Sequence, residues 1–281
     1  MGLRNLLVVV DASHHATTTV EAAVLLAAKH DAHLTGIAAV APLQIPGYVA
    51  APFGAELQRW QDEAAAEAAG RAEQVFGRAV ELAGIRARSE WRAVQGDPTG
   101  IVGVAARGYD LVVLGQMDGV ADRDIAAVRP DELVFACGRP VLMIPHSGRF
   151  ETIGDTVLVG WDGGREAARA VNDALPILER AREVRIVAVN PRSGPRSGQP
   201  GDEPGAHIAL HLARHGVRAE AAHIRNDELD PANVLLNTCT DIGADLLVMG
   251  AYGRSRLREL VLGGTTRTIL GHMTVPVLLS H

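Results

Sequence analysis

The chain has 281 residues, 47% of them hydrophobic and 21% charged, with a net charge of −6. That profile is the one expected of a soluble globular protein with room for two domains, and without a polybasic block it argues against nucleic-acid or anionic-membrane partners. Cys137 and Cys239 stand far apart with no paired spacing, which argues against a disulfide framework or cysteine zinc site and suits a reducing cytoplasm.

In chain order, the first apolar run (6–10) ends in Asp11 and predicts a short buried strand. It is too short for the core of a secretion signal. Leu6 stands where N-myristoylation wants Ser or Thr, and no segment reaches the roughly 18 apolar residues of a membrane span. The expectation is a cytoplasmic protein. An Ala-rich helical stretch (18–29) and a strand (34–40) follow. Residues 41–53, apolar and carrying Pro42, Pro46 and Pro52, form a loop that reads equally as a lid or a connector. A long Ala/Glu-rich helix (56–82) comes next. Further on, Tyr109 and Asp110 introduce an apolar strand ending at Gly115, and Pro140 introduces a closing strand (141–144).

After a polar, turn-rich hinge (146–151) the same plan begins again. A strand (157–160) runs to Asp162, an Ala-rich helix covers 166–181, and a second strand covers 184–189. A Gly-, Pro- and Ser-rich segment (191–205) follows and reads equally as a lid or a connector. Ala244 and Asp245 introduce a strand ending at Gly250, and Pro276 introduces the closing strand (277–279). The chain is thus a duplication, with domains at 1–147 and 153–281. Continuous β-branched runs alternating with helices imply strands covered on both faces. The fold class is α/β: two doubly wound parallel-sheet, Rossmann-like domains. In such sheets ligands bind beyond the carboxyl ends of the strands, where strand order reverses. Asp11, Asp162, Gly115 and Gly250 all fall there.

The richest chemical signal follows the strand 246–249. Gly250, Ala251, Tyr252 and Gly253 are separated by nine residues from Gly263, Gly264, Thr265 and Thr266. Glycines after a strand let main chain approach a ligand and turn N–H groups inward. The second glycine pair opens a helical pattern, and a helix N-terminus favours an anion such as phosphate.

Together the strand ending in Asp, the Gly-x-x-Gly-x9-Gly segment and the closing Pro-Val-Leu strand resemble a tandem universal stress protein over essentially the whole length. The resemblance implies two adenine nucleotide alpha hydrolase-like domains, paired through their final strands as an intrachain pseudo-dimer. It also implies an ATP site whose Mg²⁺ arrives with the nucleotide. Carried over, it places the adenosine end near Gly160, Asp162 and Val189. It places Met249, Gly250 and Gly253 at the start of the loop, and Gly263, Gly264 and Thr265 at the phosphates. Gly264 departs from the family pattern, which has a hydroxyl or amide residue there; Thr265 or Thr266 would have to supply that group.

The first copy differs at the same place. Asp118 replaces the second glycine, and Val128 and Arg129 stand near where Gly263 and Gly264 would fall. Residues 116–132 carry Asp118, Asp122, Asp124, Asp131 and Glu132 against Arg123 and Arg129. Residues 251–267 carry Arg254, Arg256, Arg258 and Arg267 against Glu259. At an effective dielectric near 20, one charge about 6 Å from a phosphate is worth a few kcal/mol before solvation. The N-terminal half is therefore expected to hold no nucleotide.

Other features yield less. His207, His211 and His215 recur every four residues, a spacing that fits either a metal or a solvated helix face. His14 and His15 read as a polar turn. Trp161 admits stacking on a nucleobase or packing under the strand end. No Gly-Lys-Ser/Thr phosphate loop, dinucleotide fingerprint or nucleophile elbow occurs, so no residue is assigned a catalytic role and none a metal-ligand role. Two classes of function remain. One is a stress-response protein that binds an adenine nucleotide in its C-terminal half, acts through conformation or protein partners, and at most hydrolyses ATP slowly. The other is a nucleotide-free interaction module. A homodimer of the tandem chain is compatible with either.

Overall fold

The computed structural model describes residues 2–11, 13, 15–41, 54–117, 128–191, 204–251 and 264–281. Two compact units emerge, one spanning Arg4–Arg139 and the other built on Pro140–His281.

The Arg4–Arg139 unit contains β1 (Asn5–Val9), α1 (Ala16–His30), β2 (His33–Val40), α2 (Gly54–Leu82), β3 (Ser89–Gln95), α3 (Pro98–Ala105), β4 (Leu111–Gly115) and α4 (Pro130–Ala136). Its strands run parallel in the order β3-β2-β1-β4. Leu6, Leu7 and Val8 are fully buried; α1 packs on β1, β2 and β4, and α3 packs on β2. Helix α1 stops at Asp31, whose left-handed φ of 53° breaks the repeat; the Asp31 carboxylate pairs with Arg88 at 2.7 Å.

The Pro140–His281 unit contains β5 (Val141–Ile144), β6 (Thr156–Gly160), α5 (Arg165–Leu178), β7 (Glu183–Val189), α6 (Ala206–Arg214), β8 (Ala219–Ile224), α7 (Pro231–Asp241), β9 (Leu246–Gly250), α8 (Gly264–His272) and β10 (Val277–Ser280). Strand order is β5-β10-β9-β6-β7-β8, parallel except at β5. The closing strand of the first copy lies in this unit. It pairs antiparallel with β10, Met143 facing Val277 and Val141 facing Leu279. All four residues of β5 are buried, so the apolar edge that each closing strand would otherwise expose is covered by the other.

The chain runs from β6 outward to β7 and β8, then returns past β6 to β9 and β10. Strand order therefore reverses between β6 and β9, whose carboxyl ends lie side by side: Gly160 is paired with Met249. This is where an open parallel sheet leaves a crevice for a ligand. Helix α5 packs on β9 and β10, while α7 packs on β6 and β7 and against α8.

Candidate functional site

Four segments meet at the reversal in the Pro140–His281 unit: the ends of β6, β7 and β9, and the start of α5. After Gly160 the chain passes Trp161, whose N–H donates to the Val187 carbonyl at 2.9 Å. Asp162 follows, and its Oδ1 accepts the Gly164 N–H at 2.8 Å. That Asx turn, with Gly163 at φ 72°, swings the chain into α5. In the first copy Asp11 does the same, accepting the Ser13 N–H at 3.0 Å and its hydroxyl at 2.6 Å. Both aspartates are exposed. Each shapes the strand-to-helix link, a task the sequence reading did not assign to them.

The glycines have packing duties of their own. A Cβ at Gly250 would stand 2.5 Å from both the Ala167 nitrogen and the Glu166 carbonyl carbon. The first turn of α5 therefore rests directly on the β9 backbone. A Cβ at Gly160 would come 3.2 Å from Leu235 of α7 and 3.6 Å from the Met249 Cβ. Met249 is 6% exposed, so its side chain belongs to the core. Val189 is half-buried at the end of β7, in register with Ile224.

At the loop's first residue, Ala251 is buried, and its N–H donates to the Ser280 carbonyl at 2.8 Å. Its carbonyl lies 3.1 Å from His281 Nδ1. Nearby, the Glu166 side chain is 11% exposed and paired with Arg165. Burial pushes its carboxyl up, but the Arg165 hydrogen bond, its own main-chain N–H and the charges of Arg165 and His281 hold it below the usual carboxylate range.

Gly253 and Gly263 lie outside the described residues. At the far end of the loop, Gly264 opens α8, exposed, and among the described residues nothing lies within 4 Å of the place a Cβ would take. Thr265 is half-buried and Thr266 only 3% exposed. Of the two hydroxyls considered for the Gly264 departure, Thr265 has the better access to a ligand. At this helix end the described residues leave the Gly264 Cβ position open, and the sequence of 251–267 carries four arginines against one glutamate.

The counterpart in the Arg4–Arg139 unit is built differently. Val128 is 7% exposed, the Arg129 N–H is taken by Thr99 Oγ1 at 3.1 Å, and the Arg129 guanidinium pairs with Glu132. Pro130 opens α4 and brings no N–H of its own. Gly115 meets only a side chain, since a Cβ there would lie 2.8 Å from Thr19 Oγ1.

Two pieces of polar architecture escaped the sequence reading. Asp245 gathers the start of β6: it accepts the N–H groups of Gly154, Asp155 and Thr156 at 3.0, 2.9 and 3.0 Å and the Thr152 hydroxyl at 2.6 Å. Asp110 accepts the Arg4 and Asn5 N–H groups at 2.8 and 3.0 Å. An Asp before the same strand in both copies was the available signal. The second piece is Asn190, which binds the main chain of Asn226. As for the histidine series, His207 and His215 are exposed and the His211 and His215 rings sit 4.7 Å apart. Among the described residues no three His, Cys, Asp or Glu converge as a metal would need. Among them, too, no helix is long and apolar enough to cross a membrane.

Residues 2–120 and 154–281 match the universal stress protein family, and the chain belongs to that family, with two such domains in tandem. A universal stress protein from Archaeoglobus fulgidus DSM 4304 superposes with a TM-score of 0.72 at 17% identity, covering 98% of this chain and 97% of that one. A functionally unknown protein from Pseudomonas aeruginosa PAO1 gives 0.56 at 17% identity, covering 99% and 92%. At such identities the likeness establishes the fold. A universal stress protein of Synechocystis sp. is 53% identical over 38 residues, 14% of this chain; the match spans 13% of that relative's length.

Proposed function

We propose that the Pro140–His281 unit binds an adenine nucleotide, ATP with its Mg²⁺, and that the protein acts through the conformation or protein partners this binding controls. One observation carries the reading: strand order reverses between β6 and β9, and the glycine-rich segment leaves the sheet at that point, returning at the open N-terminus of α8. Main-chain donors and the helix dipole there suit a phosphate, and four arginines against one glutamate in 251–267 add charge of the right sign. The Arg4–Arg139 unit, with Val128 buried and Arg129 engaged, is read as nucleotide-free. The function is binding, in the cytoplasm, with turnover at most slow.

A second reading has a specific observation behind it. Gly250 is required by packing against the α5 backbone, and Gly160 sits close against the Leu235 side chain of α7, so Gly250 would be needed in a nucleotide-free interaction module as well. Gly264 separates the two. Among the described residues its Cβ position is open, so Gly264→Val disturbs none of their packing and is expected to obstruct a ligand. With Mg·ATP the native protein gains melting temperature, and Gly264→Val loses that gain while melting alone at the native temperature. No shift in the native protein at millimolar ATP would favour the interaction module.

A further inference from the structure

Two of the exposed apolar side chains stand among concentrated charge, one in each unit and of opposite sign. Phe135, 48% exposed, lies at the C-terminal end of α4, where Arg107, Phe135, Ala136, Cys137, Gly138 and Arg139 line an open hollow of about 320 Å³. The Arg139 guanidinium donates to the Arg107 carbonyl at 2.9 Å, and the buried Cys137 thiol donates to the Arg139 carbonyl at 3.2 Å. These bonds fix the shape of the hollow. Among the described residues neither Arg107 nor Arg139 pairs with a carboxylate. The acids of α4, Asp131 and Glu132, stand in its first turn, with Glu132 held by Arg129. On the adjoining α3, Gly103 lies against Ala136, and the next residue, Val104, adds exposed apolar surface.

The other side chain is Leu229, 42% exposed, on the turn between β8 and α7. Asp227, Glu228 and Asp230 flank it, all exposed, against the single exposed Arg225 at the β8 end. This turn is held in one shape. Asn190, left-handed at φ 46°, clamps Asn226: its Nδ2 donates to the Asn226 carbonyl at 2.7 Å and its Oδ1 accepts the Asn226 N–H at 2.8 Å. Asn226 Oδ1 then accepts the N–H groups of Glu228 and Leu229 at 3.0 and 2.9 Å. A leucine tip fixed in this way loses little conformational freedom when it is covered.

We propose that the hollow of one molecule takes the 226–230 turn of a second copy of the chain, with Leu229 against Phe135 and the carboxylates of the turn facing Arg107 and Arg139. Charge complementarity carries the inference. In a chain of net charge −6, copies repel at most orientations, and two uncompensated guanidinia around an aromatic ring select the one acidic, leucine-tipped turn. Phe and Arg are the residues enriched at the centres of interfaces. The contact joins different surfaces, so each molecule offers one hollow and one turn and associates head to tail. A surface of this size gives a weak, reversible association. It is independent of the nucleotide reading.

Sedimentation velocity of the full chain over a range of concentrations, without nucleotide, is the test. The native chain is expected to associate reversibly as concentration rises, and less so in about 0.5 M salt, which screens exposed charge. Arg107→Glu with Arg139→Glu reverses the hollow; Asp227→Arg with Glu228→Arg reverses the turn. All four side chains are exposed, so both variants should melt near the native temperature. Each alone should associate about tenfold more weakly. Mixed in equal amounts they should recover association, because every contact between unlike molecules then joins opposite charges. Phe135→Ala and Leu229→Ala, which change no charge, should each weaken association as well. A native chain that stays monomeric throughout overturns the inference. So does association that persists in both charge-reversed variants, since another surface then carries it, and so does a mixture no stronger than its components.

Discussion

At the scale of single residues, Gly250 and Gly115 occupy equivalent places yet differ in what a side chain would meet. At Gly250 the obstruction is the α5 backbone at 2.5 Å; at Gly115 it is the Thr19 hydroxyl at 2.8 Å, which can rotate away. Gly250→Ala should therefore cost about 2–3 kcal/mol as overpacking against an immovable neighbour, and Gly115→Ala roughly 1 kcal/mol or less. Urea unfolding of the two variants measures the difference; equal costs would show that α5 can shift. Cys239 offers a second residue-scale test. Burial pushes its thiol from 9.0 up to about 12. The folded state thus holds the proton more tightly than the unfolded chain. Stability is whole below pH 9 and falls as pH rises from there toward 12. Cys239→Ala should flatten that alkaline limb in denaturation curves taken across pH 8–11; an unchanged slope would assign it to other groups.

At the scale of elements, the two units are started by their aspartates. Asp245 carries four N–H or O–H donors and Asp110 two. Asp245→Asn should cost about 2 kcal/mol and Asp110→Asn about 1, in line with charge-assisted bonds to main chain. Equal unfolding midpoints for the two variants would contradict this. The same scale shows what was legible in the sequence. The central strands announced themselves because burial on both faces demands continuous apolar runs: Leu6 to Val9 and Val157 to Val159 are almost fully buried. Strands β3 and β8 did not. Ser89–Gln95 and Ala219–Ile224 lie at the margins of their sheets, the first largely exposed and the second half-buried, so they carry charges where a central strand carries Val or Leu. Helices α3 and α7 went unread as well, being short and coming soon after those strands. Within the site, Gly264 and the strand ends could be found from spacing. The packing reasons for Gly160 and Gly250, and the Asn190 clamp, depend on which helix lies over which strand, and no local pattern encodes that.

For the whole molecule, duplication produced two units of one plan whose ligand ends have diverged. In the Arg4–Arg139 unit the helix after β4 opens on Pro130 behind a buried Val128 and a paired Arg129. In the Pro140–His281 unit the corresponding helix opens on a glycine that no described residue obstructs, preceded in sequence by an arginine-rich segment. On the proposed function, the Pro140–His281 unit takes the nucleotide and the Arg4–Arg139 unit takes none. Isothermal titration calorimetry of the full chain with Mg·ATP tests this most directly. The account predicts one nucleotide bound per chain, with Gly264→Val abolishing it. Two nucleotides per chain, or one that survives Gly264→Val, would contradict it.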